Sequence, residues 1–359
     1  MCQYYNLRSH FRNARKSEHR LSGGYFGYQG CCKTGVLNIK LSHESYKSSN
    51  LIARNKMDKS LYPLKGIVPI INTPFTDTNI IDYDSVKRLI DQGINDGIAG
   101  CIVPAVASEV SQLSDAERKE FVEKVIGIGK DKISVIVGIS HQEPNRSRAF
   151  LEHAIDSGAD GVLCAVPMDI IENRWAVKRY FSNVVKSEPP MLMIQDLHWS
   201  GFGMSIDTIK DLWQEVDSFR CLKLETVPAG YKISQILEST DNNLAVGIGW
   251  SLPQFIEALD RGTSFFTTTA INKPFVHIYN LYNSGKRTEA INLFDSIVPF
   301  LAFAFQHIDI SIQFFKHYCN KRGLFQTTNT RSLSIPFDNY HETITTELID
   351  RIIEIEDNL

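Results

Sequence analysis

Gly66-Ile67-Val68-Pro69-Ile70-Ile71-Asn72-Thr73-Pro74-Phe75-Thr76 decides between two folds. Residues 66–72 are a run rich in Ile and Val and read as a β-strand. A helix follows over 82–97. Asp82 caps it, Val86, Leu89, Ile90 and Ile94 form its apolar stripe, and Gly97 ends it. In an open doubly wound sheet the first strand is followed by a glycine-rich turn that cradles a phosphate. Thr73-Pro74-Phe75-Thr76 holds no glycine. The alternative that remains for a strand–helix repeat is a closed barrel.

The same alternation continues outward. Strands are expected at 100–106, 133–139, 161–166, 191–195, 219–224, 244–248 and 264–269, with a helical pattern after each. Ser114 and Glu117 make a capping box for the second helix. Eight strand–helix units over about 220 residues predict an α/β fold, a (β/α)8 TIM barrel. Two or three further helices are expected over 273–321 and a last one over 342–356. The expected division is a basic N-terminal extension over 1–60, a barrel over 61–272 and a C-terminal helical region over 273–359.

The 359 residues are 43% hydrophobic and 22% charged, which excludes wholesale disorder. The net charge is -3, without the basic excess of a nucleic-acid binder. No apolar run reaches the roughly 18–20 residues that span a bilayer. Seven Cys without a CxxC pair indicate neither a disulfide framework nor a zinc site, and favour a reducing compartment. Charge is uneven: residues 1–56 carry ten Lys/Arg against two Asp/Glu, leaving 28 (38 − 10) and 39 (41 − 2) for the rest. This start reads as an inert tail or a stretch upstream of a true start at Met57. Organelle targeting or a nucleic-acid or membrane contact stay open. The expectation for the folded part is a cytoplasmic protein with no nucleic-acid and no membrane partner.

In such barrels the active site lies at the C-terminal ends of the strands. Lys223 is the sharpest signal. In Arg220-Cys221-Leu222-Lys223-Leu224-Glu225, period-two alternation turns Leu222 and Leu224 toward the helices and Lys223 into the barrel. Burying a Lys is costly unless it is paired or neutral, and the neutral amine is the form that attacks a ketone. Two readings stand on strand logic: a Schiff-base nucleophile, or a side chain leaving the barrel mouth or held in a structural ion pair with Glu225. His141, Asp169, Asp196 and His198 also fall at strand ends and form a weaker, metal-binding alternative.

These residues together resemble the dihydrodipicolinate synthase / N-acetylneuraminate lyase family of class I aldolases, over Leu64 to Leu324. The resemblance is carried by Gly66-Ile67-Val68-Pro69 with Thr73-Pro74-Phe75, by Leu113-Ser114-Asp115-Ala116-Glu117-Arg118, and by Ser157-Gly158-Ala159-Asp160-Gly161. Leu222-Lys223-Leu224-Glu225 falls where that family places its Schiff-base Lys. It implies a lyase that needs no metal and no organic cofactor, only a covalent imine on Lys223 with pyruvate or another 2-keto acid. It also implies a homo-oligomer, a dimer or tetramer.

The departures are as specific. Ala105-Val106-Ala107-Ser108-Glu109 replaces the family's Gly-Ser/Thr-Thr-Gly-Glu, so the substrate carboxylate is expected against Ala107, Ser108 and Glu109, chiefly their backbone amides. Pro167-Met168-Asp169 replaces Pro-Tyr-Tyr and puts a carboxylate where the family relays protons through a phenol. Asp169 is therefore the expected proton relay. Gln195-Asp196 replaces Tyr-Asn, and Gly249-Trp250 stands at the turn after the seventh strand. Gln195 and Thr268 complete the expected substrate-binding set. The expected function is a Schiff-base-forming aldolase, dehydratase or synthase with a divergent pocket. The alternative is a non-catalytic ligand-binding or regulatory barrel.

Overall fold

The computed structural model describes residues 59–331 and 333–359. The expectations for residues 1–56 lie outside them. Eight strands form one parallel sheet: β1 (Gly66–Ile67), β2 (Gly100–Val103), β3 (Ser134–Gly138), β4 (Gly161–Ala165), β5 (Leu192–Leu197), β6 (Phe219–Glu225), β7 (Ala245–Ile248) and β8 (Phe265–Phe266). Their order is β1-β8-β7-β6-β5-β4-β3-β2. The ring closes between its two ends, where Ile70 bridges Ile102 in parallel. There the N–H groups of Ile71 and Ile102 donate to Ile102 and Pro69.

Seven helices lie between consecutive strands or follow them: α1 (Tyr83–Asp96), α2 (Asp115–Gly129), α3 (Pro144–Ser157), α4 (Arg174–Val184), α5 (Ile206–Glu215), α6 (Ala229–Ser239) and the short α7 (Phe255–Asp260). α8 (Lys273–Asn283) follows β8 and packs on β1 and α1, completing the outer ring. α9 (Arg287–Ala304), α10 (Ile308–Lys321) and α11 (Asn339–Asp357) follow. The architecture is the (β/α)8 barrel with C-terminal helices that the alternation predicts.

The local signals act as expected at the helix ends. The Asp82 carboxylate accepts the Ser85 N–H, and Gly97 takes a left-handed φ of 93° that closes α1. Ser114 and Glu117 cap α2 reciprocally. β2 is shorter than the run 100–106 because Pro104 has no N–H to continue the ladder. The chain then coils through two 3-10 turns, Val106–Ser108 and Val110–Gln112.

Two apolar clusters show which way each strand residue points. Val68, Ile102, Ile136, Leu163, Met193, Cys221 and Phe265 belong to the core inside the barrel. Leu222, Leu224, Val246 and Ile248 belong to the larger core between sheet and helices. This is the face assignment that period-two alternation requires of β6.

Candidate active site

β6 delivers Lys223 to the barrel interior, where it is only 1% exposed. Its Nζ lies 3.1 Å from Oε1 of Glu225, two residues on and on the same strand face. Glu225 is fixed in turn from both sides. Its Oε1 accepts the Trp250 backbone N–H at 2.9 Å, and its Oε2 accepts the Gln195 side-chain amide. β5, β6 and the turn after β7 thus hold one carboxylate against one amine.

Lys223 and Glu225 line a recess of about 420 Å3, counting its open mouth. Of the residues expected on sequence grounds, Ala107, Gln195 and Thr268 line it with Lys223. The Thr268 hydroxyl donates to Asn272 Oδ1 at 2.8 Å. The Ala107 carbonyl accepts from the Asn72 amide at 2.9 Å, which anchors that turn.

Three expected residues stand elsewhere. Ser108 is fully buried: its hydroxyl donates to the Ile71 carbonyl at 2.6 Å and accepts the Ala105 N–H at 3.0 Å. It is a strut of the 3-10 turn and does not line the recess. Glu109 points the other way, pairing with the buried Lys316 of α10 and accepting the Arg331 N–H at 2.8 Å. The early end of β2 at Pro104 swings both side chains away from the barrel axis. Asp169 is exposed and lies in a separate surface groove with Met168, Glu172 and His198. The loop after β4 runs outward, so this geometry gives the proton-relay expectation for Asp169 no support.

The metal alternative fares similarly. Among the described residues no group of three or more His, Cys, Asp or Glu converges on a possible metal position. Asp196, at the end of β5, is instead buried against Lys232 of α6 at 2.5 Å, and its Oδ1 accepts the Met204 N–H. Burial pushes the Asp196 carboxyl up and the Lys232 ammonium down.

Sequence reasoning missed the far wall. Trp199 from the loop after β5, Phe305 at the end of α9, and Ile308 and Ser311 of α10 close the recess. Phe305, Ile308 and Ser311 lie more than 80 positions beyond Lys223, and nothing local marks them. Two buried ion pairs hold this wall. Lys232 also donates to the Phe202 carbonyl and so pins the loop that carries Trp199. Lys316, its pKa lowered to about 8 by burial, ties α10 to Glu109.

This arrangement has counterparts in known proteins. The family model described as the dihydrodipicolinate synthetase family matches residues 63–352. A 4-hydroxy-tetrahydrodipicolinate synthase of Methanococcus maripaludis is 26% identical over 243 residues, 67% of this chain and 83% of that protein. An uncharacterized DapA-like lyase of Rhizobium meliloti is 28% identical over 244 residues, 66% and 80% of the two chains. The fold matches the crystal structure of dihydrodipicolinate synthase from Rhodopseudomonas palustris with a TM-score of 0.74, at 24% identity, over 81% of this chain and 99% of that one. Among the described residues no helix is long and apolar enough to cross a membrane. A buried Lys on the sixth strand, the barrel around it and a family match over most of the length agree: the chain belongs to the dihydrodipicolinate synthetase family.

Proposed function

We propose that this family lyase forms a Schiff base on Lys223 with pyruvate or another 2-keto acid. The observation that carries the proposal is the burial of Lys223 at the closed end of a recess, with its Nζ 3.1 Å from Glu225. An amine there meets substrate away from bulk water and beside a group that can move its proton.

In this reading Nζ attacks the ketone carbon, forming a C–N bond while the carbonyl oxygen becomes a hydroxyl. Glu225, which starts with the proton it shares with the neutral amine, gives it to the carbonyl oxygen, takes back the proton that the nitrogen sheds and passes that one to the hydroxyl, which departs as water. The resulting iminium draws electrons from the adjacent carbon, so a C–C or C–O bond one carbon further can form or break. No metal or organic cofactor enters the scheme. Ala107, Gln195 and Thr268 line the space where the keto acid would lie. A homo-oligomeric state, dimer or tetramer, is expected from family resemblance alone, and a cytoplasmic location from the cysteine pattern that favours a reducing compartment.

Reductive trapping tests the proposal. Pyruvate and borohydride should add a covalent mass that maps to Lys223 and is absent from Lys223→Ala. A well-folded protein that takes no adduct from any small 2-keto acid would support the non-catalytic barrel instead.

A further inference from the structure

The recess over Lys223 is polar at its base and apolar on its outer wall. The Trp250 ring centroid lies 4.8 Å from that of Trp199, edge to face at 84°, and 5.0 Å from that of Phe305. Leu197, Ile308 and Ser311 complete the wall, with Ser311 as its one hydroxyl-bearing residue among those described. Among the described residues the lining carries one cation, Lys223, and one anion, Glu225.

The charge balance is restrictive. Once Lys223 is an imine, its positive charge is offset by Glu225, so the carboxylate of the keto acid already leaves the chamber one negative charge. A second carboxylate would leave two, desolvated against indole and phenyl rings with no Arg or Lys to meet it. A polyol would bury hydroxyls against the same apolar wall. A planar apolar group, in contrast, would pack against three rings held edge to face and tilted.

We infer that the site takes a 2-keto acid whose far end is an apolar, aromatic-sized group, with Trp250 as the specificity residue. The inference rests on the keto-acid reading of the site. Trp250 serves both halves: its indole builds the outer wall while its backbone N–H holds Glu225 beside Lys223.

The test compares phenylpyruvate with 2-oxoglutarate on the full chain. Binding is followed by intrinsic tryptophan fluorescence, which Trp199 and Trp250 should report, and adduct formation by borohydride trapping. Phenylpyruvate should half-saturate the signal at a concentration about tenfold or more below that of 2-oxoglutarate. Trp250→Ala should reduce this ratio. Ile308→Arg, at a half-buried position on the first turn of α10, should shift it toward 2-oxoglutarate by supplying the missing cation. The inference is overturned if phenylpyruvate does not bind, if 2-oxoglutarate binds as tightly, or if both variants leave the ratio unchanged. Failure of the imine reading shows separately: neither acid would then be trapped on Lys223, while the fluorescence ratio would still decide the class of occupant.

Discussion

Gly249 and Glu225 face each other so closely that a side chain at 249 would collide with the carboxylate. A Cβ there would lie 2.1 Å from Glu225 Oε1, 2.5 Å from Thr267 Oγ1 and 2.9 Å from Lys223 Cε. The missing side chain is what lets the turn after β7 approach and donate the Trp250 N–H. Gly249→Ala should therefore displace Glu225 and slow imine formation with pyruvate by about tenfold or more, at a cost of roughly 1–3 kcal/mol in stability from overpacking. Gly127→Ala on α2 is the control. Nothing lies within 4 Å of a Cβ there, so trapping should be normal and the helix slightly firmer. Equal trapping rates in Gly249→Ala and wild type would mean that the position of Glu225 is irrelevant to the amine.

Glu225→Gln separates a proton-transfer role from a structural ion pair. The amide keeps the size of the side chain and an acceptor for the Trp250 N–H, but it cannot take a proton. If Glu225 moves the proton during attack, the rate of imine formation should fall by roughly 10²–10⁴ and its dependence on pH should flatten. A merely structural pair predicts a lower melting temperature with the rate per folded molecule preserved. Asp169→Asn provides the contrast. Asp169 is exposed and outside the recess, so its rate should stay within roughly twofold of wild type, as for most surface changes.

The parts of the molecule that were legible in the sequence are those fixed by short-range periodicity. Alternation along Cys221–Glu225 placed Lys223 inside and both Leu residues outside because a strand has only two faces. Strand-end reasoning also placed Gln195, which lies within β5, and Thr268, two residues past the end of β8, on the recess. It failed where the chain leaves a strand irregularly. Pro104 ends β2 early, and the 3-10 turns after it bury Ser108 and rotate Glu109 onto Lys316. Asp169 fell to the same cause, since spacing from a strand does not say which way a loop runs. Phe305 and Ile308 were invisible for another reason: they reach the recess through packing of α9 and α10, and no pattern near them records their distance from Lys223.

The Asp196–Lys232 pair should matter more for the loop after β5 than its distance from the amine suggests. Both side chains are fully buried, and Lys232 holds the Phe202 carbonyl as well. Lys232→Met strands a carboxylate in the core, and breaking a buried pair from one side costs roughly 3–5 kcal/mol. The denaturation midpoint should drop accordingly. Adding Asp196→Asn should restore part of the loss, because a neutral amide is cheaper to bury and can still accept the Met204 N–H. A double variant no more stable than Lys232→Met alone would show that the Lys232 contact to the loop carbonyl, rather than the charge pair, carries the stability.

Glu356 makes the stability of the C-terminal helices depend on pH. It is buried at the end of α11, where the Tyr318 hydroxyl lies 2.8 Å from each of its carboxyl oxygens. Burial raises its pKa from 4.5 to about 7, against the opposing pull of the Tyr318 hydrogen bond and Arg322. The unfolded chain releases this proton near 4.5 and the folded chain holds it to about 7. Between these values the folded state binds more protons, so this contribution is complete below 4.5 and is lost as pH rises to about 7. The difference corresponds to on the order of 3 kcal/mol at neutral pH and above. Glu356→Gln keeps an acceptor for Tyr318 and cannot ionise. Its advantage in melting temperature over wild type should therefore be small at pH 4.5, grow through pH 7 and level off beyond. An advantage that is constant with pH would mean that the carboxyl is already ionised in the folded protein at low pH, with Arg322 rather than burial in control.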